Sequence, residues 1–203
     1  MANIGFKKAI FTIGEEQFIV DKTQGGTIDA KISGIANEAT TVDASDIPFF
    51  VYQKGVGNIS VDLTVFDLQS VEGLYAKLFG VQAEDGISIV GADTAPAYTS
   101  LVLVSENAQG KDLYFGLTKG KFAHPDIELA TKSEGKADPK TVATTGTFIA
   151  DSRGYAYMTA VQSETVTEDV FIKKSKQRKV TEQARVATRL AEVIKEVANE
   201  ELA

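Results

Sequence analysis

The side chains that most often carry catalysis are scarce in this chain. It has a single histidine, His124, and neither cysteine nor tryptophan. A cysteine nucleophile, a thiolate metal site and a disulfide are therefore excluded. A histidine acting as a general base needs a nucleophile or a carboxylate within hydrogen-bond reach. Because His124 precedes Pro125, it favours an extended or turn conformation, and we predict a structural histidine rather than the base of a hydrolase.

Sites for metals and phosphates have as little support. Two acidic pairs lie in loops, Asp43/Asp46 and Glu84/Asp85. Neither has the alternating ligand spacing of a calcium loop, so we interpret them as solvated turn residues. The Gly-Lys steps of the chain lack the flanking residues of a phosphate-binding P-loop, and no G-x-G-x-x-G motif opens a helix. We predict no catalytic residue, no metal and no cofactor, and hence a protein that is not an enzyme.

Charge is distributed unevenly along the chain. The 203 residues carry a net charge of −7, but residues 171–203 contain eight Lys or Arg against five Asp or Glu. The remaining body is therefore strongly acidic, and such a surface does not attract DNA phosphates specifically. No apolar run approaches the ~20 residues needed to cross a bilayer. We expect neither an export signal nor a membrane partner.

Strand patterns dominate the first 170 residues. In segment 27–35, Ile28, Ala30 and Ile32 alternate with polar residues, and segment 58–65 has the same period of two. This alternation predicts strands with one buried face and one solvated face. Further strands are predicted at 6–13, 47–52, 101–104, 112–122, 147–150, 155–161 and 166–172.

Two details refine this prediction of strands. The continuous apolar run 101–104 is typical of a strand covered on both faces. Residues 151–154 (DSRG) indicate a hairpin turn between two strands. Many short strands with frequent glycine turns favour a mainly β protein, an antiparallel β-sandwich or barrel.

Two segments break the strand pattern. Residues 68–79 place apolar side chains at helical spacing, with Asp67 as candidate N-cap and Gly80 as the stop. Near the C-terminus, an apolar seam without Gly or Pro predicts a long amphipathic helix that needs a partner. We therefore divide the chain into a β-sandwich domain, 1–172, and a basic joint with a C-terminal amphipathic helix, 173–203.

Four stretches stand out by their order and spacing. They are GFKKA at 5–9, GGTIDAKISGI at 25–35, LYFGLTKGKF at 113–122 followed by DIELATK at 126–132, and the loop 134–146 ending in Thr147-Phe148. Together they resemble the major tail proteins (tail tube proteins) of long, non-contractile-tailed bacteriophages of Gram-positive bacteria. The resemblance covers residues 5–172.

This resemblance implies a tail-tube fold, an antiparallel β-sandwich with one flanking α-helix. It implies self-assembly into stacked hexameric rings that form the tail tube, the conduit for genome delivery. The implied partners are other copies of the chain, the tape-measure, tail-tip and tail-terminator proteins, and DNA in transient, non-specific contact. The protein would be made in the host cytoplasm and reside in the virion tail. The alternative is a virion-surface sandwich that binds a receptor or carbohydrate through Tyr98 or Tyr155.

The tube hypothesis assigns roles to particular side chains. The polar faces of segments 27–35 and 58–65 supply the candidate lumen-facing residues Asp29, Ser33, Ser60, Asp62 and Thr64. The candidate inter-ring contacts are loops 36–48 and 84–97 and the tail residues Lys173, Lys174, Lys176, Arg178, Lys179, Leu190, Ile194 and Val197. An acidic wall suits a conduit, because a basic one would hold phosphates. Ring closure would also pair exposed sheet edges, which otherwise invite aggregation.

Overall fold

Strands account for most of the ordered elements in the computed structural model, which describes residues 3–44, 47–53, 55–84, 87–129, 131 and 140–176. The strands are β1 (Asn3–Ile13), β2 (Glu16–Asp21), β3 (Thr27–Ser33), β4 (Thr40–Ala44), β5 (Ile47–Tyr52), β6 (Ile59–Val65), β7 (Gln82–Glu84), β8 (Ile87–Ile89), β9 (Thr99–Asn107), β10 (Asp112–Phe122), β11 (Val142–Ile149) and β12 (Tyr157–Val161). Within these residues the helices are α1 (Leu74–Phe79) and α2 (Glu168–Ser175). The predicted class, mainly β with a flanking helix, is confirmed.

Eight strands form one antiparallel sheet in the order β2-β1-β9-β10-β11-β6-β3, with β12 paired to β10. The sheet folds over, so that β3 returns to β1, where the Thr27 hydroxyl donates to the Phe6 carbonyl at 3.0 Å. Inward side chains from both halves share one core. The result is a sandwich in which β2 and β3 are the end strands.

The alternation in segment 58–65 is confirmed in β6. Ile59, Val61, Leu63 and Val65 are buried, whereas the residues between them face outward. In β3 the pattern holds only in part. A register shift between Thr27 and Asp29 leaves Ile28 49% exposed, so the prediction that Ile28 joins the buried face was wrong.

The strand that contains the apolar run 101–104 is covered on both faces, as predicted. Leu101 and Leu103 belong to the main core. Val102 and Val104 face the other way and pack in a second cluster that contains Phe171 of α2. This second cluster fixes α2 against the outer face of the sheet.

The prediction of a strand at 166–172 was wrong, because α2 begins at Glu168 and covers most of this segment. The Thr167 hydroxyl caps the helix by accepting from the Val170 amide, and Glu168 and Asp169 lie in the first turn. Acidic side chains there and lysines in the last turn complement the helix dipole. These capping signals outweigh the strand propensity of the β-branched residues in the segment.

The hairpin predicted at residues 151–154 was also wrong. β11 and β12 do not pair with each other. Both pair antiparallel with the same edge of β10, β11 at Lys119–Phe122 and β12 at Leu113–Leu117. The chain therefore runs along β10 twice in one direction, and residues 150–156 form a loop between two collinear strands.

The helix predicted over 68–79 is shorter than expected. α1 begins only at Leu74, because Gly73 has a φ of 74°, and Asp67 caps a turn by accepting from the Gln69 amide. The predicted stop at Gly80 is confirmed, with a φ of 68°. A Cβ at Gly80 would lie 2.2 Å from the carbonyl oxygen of Ala95, so only glycine fits there.

Gly80→Ala is expected to destabilise the fold more than Gly154→Ala. Both glycines have left-handed φ, 68° and 79°, but a Cβ at Gly154 meets nothing within 4 Å. Gly154→Ala should cost ~1 kcal/mol from backbone strain alone. Gly80→Ala adds the clash with Ala95 and should cost ~3 kcal/mol or more. Urea unfolding of the two variants measures the difference, and equal losses would contradict this reading of the contact.

Candidate functional site

The five side chains predicted to line a lumen lie on one outward face of the sheet. Asp29 of β3 is opposite Thr64 of β6, and Ser33 is opposite Ser60. Asp62 is opposite Lys31 and accepts a hydrogen bond from the Thr145 hydroxyl at 2.9 Å. β3 and β6 therefore present one polar surface, which we call the open face.

The open face extends over β11 and the end of β10, which sequence reasoning missed. Thr145 is opposite Asp62, and Thr147 lies between Ser60 and Lys121 in the register. Lys119 and Lys121 both lie against the ring of Tyr98, with Nζ 4.6 and 4.7 Å from its centroid. The added members are Lys31 of β3, Ala143, Thr145, Thr147 and Ile149 of β11, and Lys119 and Lys121 of β10.

This extension changes the charge expected of the surface. Asp29 and Asp62 share the open face with three lysines, and most of the remaining members carry hydroxyl groups. The open face is thus mixed in charge and rich in hydroxyl groups rather than acidic. The net charge of the body could not indicate this composition, because it sums charged residues without regard to the face on which they lie.

The loop predicted at 36–48 is part of a protruding hairpin. β4 and β5 pair only with each other in the described part of the chain, and an Ala36–Val56 bridge lies at the base. We call residues 36–56 the arm. Its apolar side chains lie in solvent: Phe49 is 77% exposed, and more than half of each of the others is exposed, namely Ile47, Phe50, Val51 and Tyr52.

The second predicted contact loop, 84–97, includes β8 and an extended stretch before β9. Ile87, Ile89 and Val90 are exposed there. Like the arm, this loop presents apolar side chains to solvent without cover from the described part of the chain. Exposed apolar groups of this extent are typical of interaction surfaces.

The basic residues predicted as tail contacts fall at the end of α2. Lys173 and Lys174 lie in its last turn, and Lys176 follows it, so α2 crosses the proposed boundary at 172/173. Arg178, Lys179, Leu190, Ile194 and Val197 lie outside the described residues.

An ion pair between a half-buried arginine and a buried aspartate fixes the end of α2. The Arg153 guanidinium donates to the Asp151 carboxylate and also to the carbonyls of Lys174 and Lys176, at 3.0 and 3.2 Å. Burial alone would raise the pKa of Asp151. Hydrogen bonds from Arg153 and from the Tyr155 amide, with the charge of Arg153, outweigh burial and hold that pKa below its ordinary value. The position at which the chain leaves α2 is thereby set.

Asp151→Asn is expected to cost ~2–4 kcal/mol of unfolding free energy, because Arg153 would lose its buried partner. Since the folded pKa of Asp151 is lowered, its contribution is complete above the ordinary aspartate pKa. It is lost as the pH falls through the lowered value. Urea unfolding at pH 7 and at acid pH should show the gap between wild type and Asp151→Asn closing as the pH falls. A constant gap would contradict this account.

His124 is held by a phenol and a backbone carbonyl. It follows the end of β10, as predicted, and its Nε2 lies 2.7 Å from the Tyr75 hydroxyl. Nδ1 lies 3.0 Å from the Pro125 carbonyl, which can only accept, so Nδ1 carries the proton and Nε2 accepts from Tyr75. Burial raises the pKa of Tyr75, which keeps this donor protonated. The contacts are those of a structural histidine.

The two tyrosines of the alternative hypothesis are each about half exposed, but their rings carry cations. Tyr98 is covered by Lys119 and Lys121, and the Arg153 guanidinium lies 5.1 Å from the ring of Tyr155. Stacking on a sugar requires a free ring face. These cation–π contacts occupy ring surface that a stacked sugar would need.

Within the described part of the chain, no group of three or more acidic or histidine side chains could hold a metal ion. Of the acidic loop pairs, Asp46 and Asp85 lie outside that part. Neither α1 nor α2 is long and apolar enough to span a bilayer.

Comparison with known proteins gives one family. No curated protein is similar enough to match the chain. A family described as phage tail tube protein matches residues 17–182, which is most of the sequence. This match includes the open face, the arm and α2. The chain therefore belongs to the phage tail tube protein family and is a structural component of the virion tail.

Proposed function

We propose that this protein assembles into hexameric rings that stack into the tail tube, and that the tube is the conduit for genome delivery. The observation that carries the proposal is that the arm exposes apolar side chains and that, within the described part of the chain, β2 and β3 each have one sheet edge without a strand partner. Exposed strand edges and apolar patches of this kind require a partner. Six copies per ring follow from the family resemblance.

The open face is our candidate for the wall of the conduit. α2 covers the outer face over β1, β9 and the first part of β10, whereas β3, β6 and β11 have their outward side chains in solvent. Serine, threonine and paired charges give DNA no dense array of cations on which to stall. This supports Asp29, Ser33, Ser60, Asp62 and Thr64 as lumen-facing residues.

The arm and loop 84–97 are our candidates for contacts between rings. Both project apolar side chains beyond the sandwich. Burying a side chain such as Phe49 contributes ~2–3 kcal/mol, so several per copy stabilise a stack strongly. The tape-measure protein would occupy the lumen during assembly, the tail-tip and tail-terminator proteins would contact the tube ends, and DNA would touch the wall in transit.

The segment after α2 is our candidate for a further contact between rings. Deleting residues 177–203 leaves α2 and the Arg153 contacts at its end intact, whereas a cut at 173 would remove the last turn of the helix. The truncated protein should unfold like the full chain but form few or no tubes, since the predicted amphipathic seam with Leu190, Ile194 and Val197 is gone. Circular dichroism and electron microscopy measure the two properties. Normal tubes would show that the segment is not an assembly element.

Electron microscopy of concentrated protein tests the proposed function directly. Rings or tubes with sixfold end views are expected, with the tail-tip initiator added if spontaneous assembly is slow. Dispersed particles in the presence of that initiator would overturn the proposal.

A further inference from the structure

The sandwich has one closed end and one open end. At the end of β10, α1 closes the core, with Tyr75 against His124. Toward the start of β10, the two halves of the sheet stand apart around an apolar slot of about 250 Å³. Asn3 and Ser105 add polar groups to a lining that is otherwise mostly apolar and includes Phe6, Ala30, Ile32, Ile35, Phe115 and Tyr157. Most of them are half-buried and pack on the core on their inner side.

The arm begins at the rim of this slot but does not fill it. Ile35 lines the slot, and the Ala36–Val56 bridge that starts the arm follows it directly. β5 then carries Phe49 away, ~10 Å beyond Tyr52 by strand geometry. In the same molecule, Phe49 is 77% exposed, and the described residues that line the slot include none from β4 or β5. The arm of a chain therefore leaves its own slot unfilled.

The arm is apolar on both of its faces. Val51 lies on one face of β5 and Phe50 and Tyr52 on the other, and Phe49 is the unpaired residue at the register shift next to Phe50. At ~150–250 Å² for an aromatic side chain, the arm leaves on the order of 600 Å² of apolar surface in solvent. This approaches the ~800 Å² per partner of a standard interface. A two-faced strand of this size is suited to insertion into a cleft rather than to lying on one surface.

We infer that Phe49 of one copy inserts into the slot of a second copy, where the arm of that copy begins. An apolar cavity of ~150 Å³ takes up a benzene molecule, so this slot accepts one benzyl group with room for adjacent methyl groups. Arm and slot are different surfaces of one chain. Their contact is heterologous and propagates head to tail into rings or stacks. The inference rests on the proposed function, for which it names the contact that links successive copies.

Cysteine cross-linking tests this contact without background, because the chain has no cysteine. Phe49→Cys protein is mixed with Ile35→Cys protein under tube-forming conditions and oxidised, one of the two carrying a larger tag. The mixed disulfide is necessarily intermolecular and has its own mobility on a denaturing gel. The control replaces Ile35→Cys with Glu15→Cys in the exposed β1–β2 turn, ~30 Å along β1 from Phe6.

A mixed dimer several-fold above the Glu15→Cys control is expected. Adding Ala30→Leu to the Ile35→Cys protein fills the slot from within and should suppress that dimer. If tubes form and the dimer does not exceed the control, the slot inference fails while the proposed function stands. The unsubstituted protein is the reference for assembly: if it forms no tubes, the proposed function fails, whereas loss of tubes in the Phe49→Cys mixture alone is the loss that a contact through the Phe49 ring predicts. A mixed dimer without tubes would support the contact between Phe49 and the slot but contradict the proposal that the protein forms a conduit.

Discussion

Phe49→Asp should raise the protein concentration needed for tube formation ~100-fold or more, while leaving the unfolding free energy of the single chain unchanged. Phe49 is 77% exposed, so the monomer gains nothing from its ring. In the assembly, the substitution removes ~2–3 kcal/mol of apolar burial per contact. It also places an unpaired carboxylate in an apolar site, which adds to the loss. At 1.4 kcal/mol per tenfold change, the sum exceeds two orders of magnitude.

Sedimentation of tubes over a concentration series measures this change, and urea unfolding checks the monomer. Phe49→Leu is the matched control, because it keeps an apolar side chain at the same position and should assemble at a concentration within ~10-fold of wild type. If Phe49→Asp assembles as the wild type does, the arm is not a contact between copies. A loss of monomer stability would instead mean that Phe49 packs within its own chain.

Local patterns predicted the fold well where one residue type decides the outcome. The period of two in 58–65 gave β6 and its buried face, because alternation alone separates core from solvent in a strand. Gly80 ended α1 as predicted, since its backbone conformation suits glycine alone. The predictions failed where two local signals compete, as in 166–172. There the Thr167 cap and the charges at both helix ends mattered more than β-branched residues.

The composition of the open face could not be predicted, because it depends on strand order. Asp29 and Asp62 were found from their own strands, but Thr145, Thr147 and Lys121 join them only because β11 lies between β6 and β10. This pairing brings together residues far apart in sequence. The arm was predicted as a contact loop but not as a hairpin, and its apolar strand 47–52 was expected to be an ordinary member of the sheet. No local signal shows that a strand has left the sheet.

Reversing Asp29 and Asp62 to Lys is expected to leave tubes intact but to reduce phage infectivity strongly. Both side chains point outward from the open face, so their replacement leaves the core unchanged. Asp62→Lys also sets two lysines opposite each other, with Lys31, which costs up to ~1 kcal/mol of stability. A face with two acids and three lysines would become one with five lysines, repeated in every ring. Each added cation binds a phosphate by releasing counterions, so DNA would be held in the lumen.

Plaque titre and DNA release from purified virions measure this effect, with Asp29→Asn and Asp62→Asn as the neutral control. The control removes the two acids without adding cations, and its release rate should stay within a few-fold of wild type. Because phosphate binding weakens steeply with salt, raising the ionic strength should restore release from the lysine variant. A block that salt does not relieve would indicate damage to the tube rather than retention of DNA. An unchanged titre would show that the open face does not line the conduit.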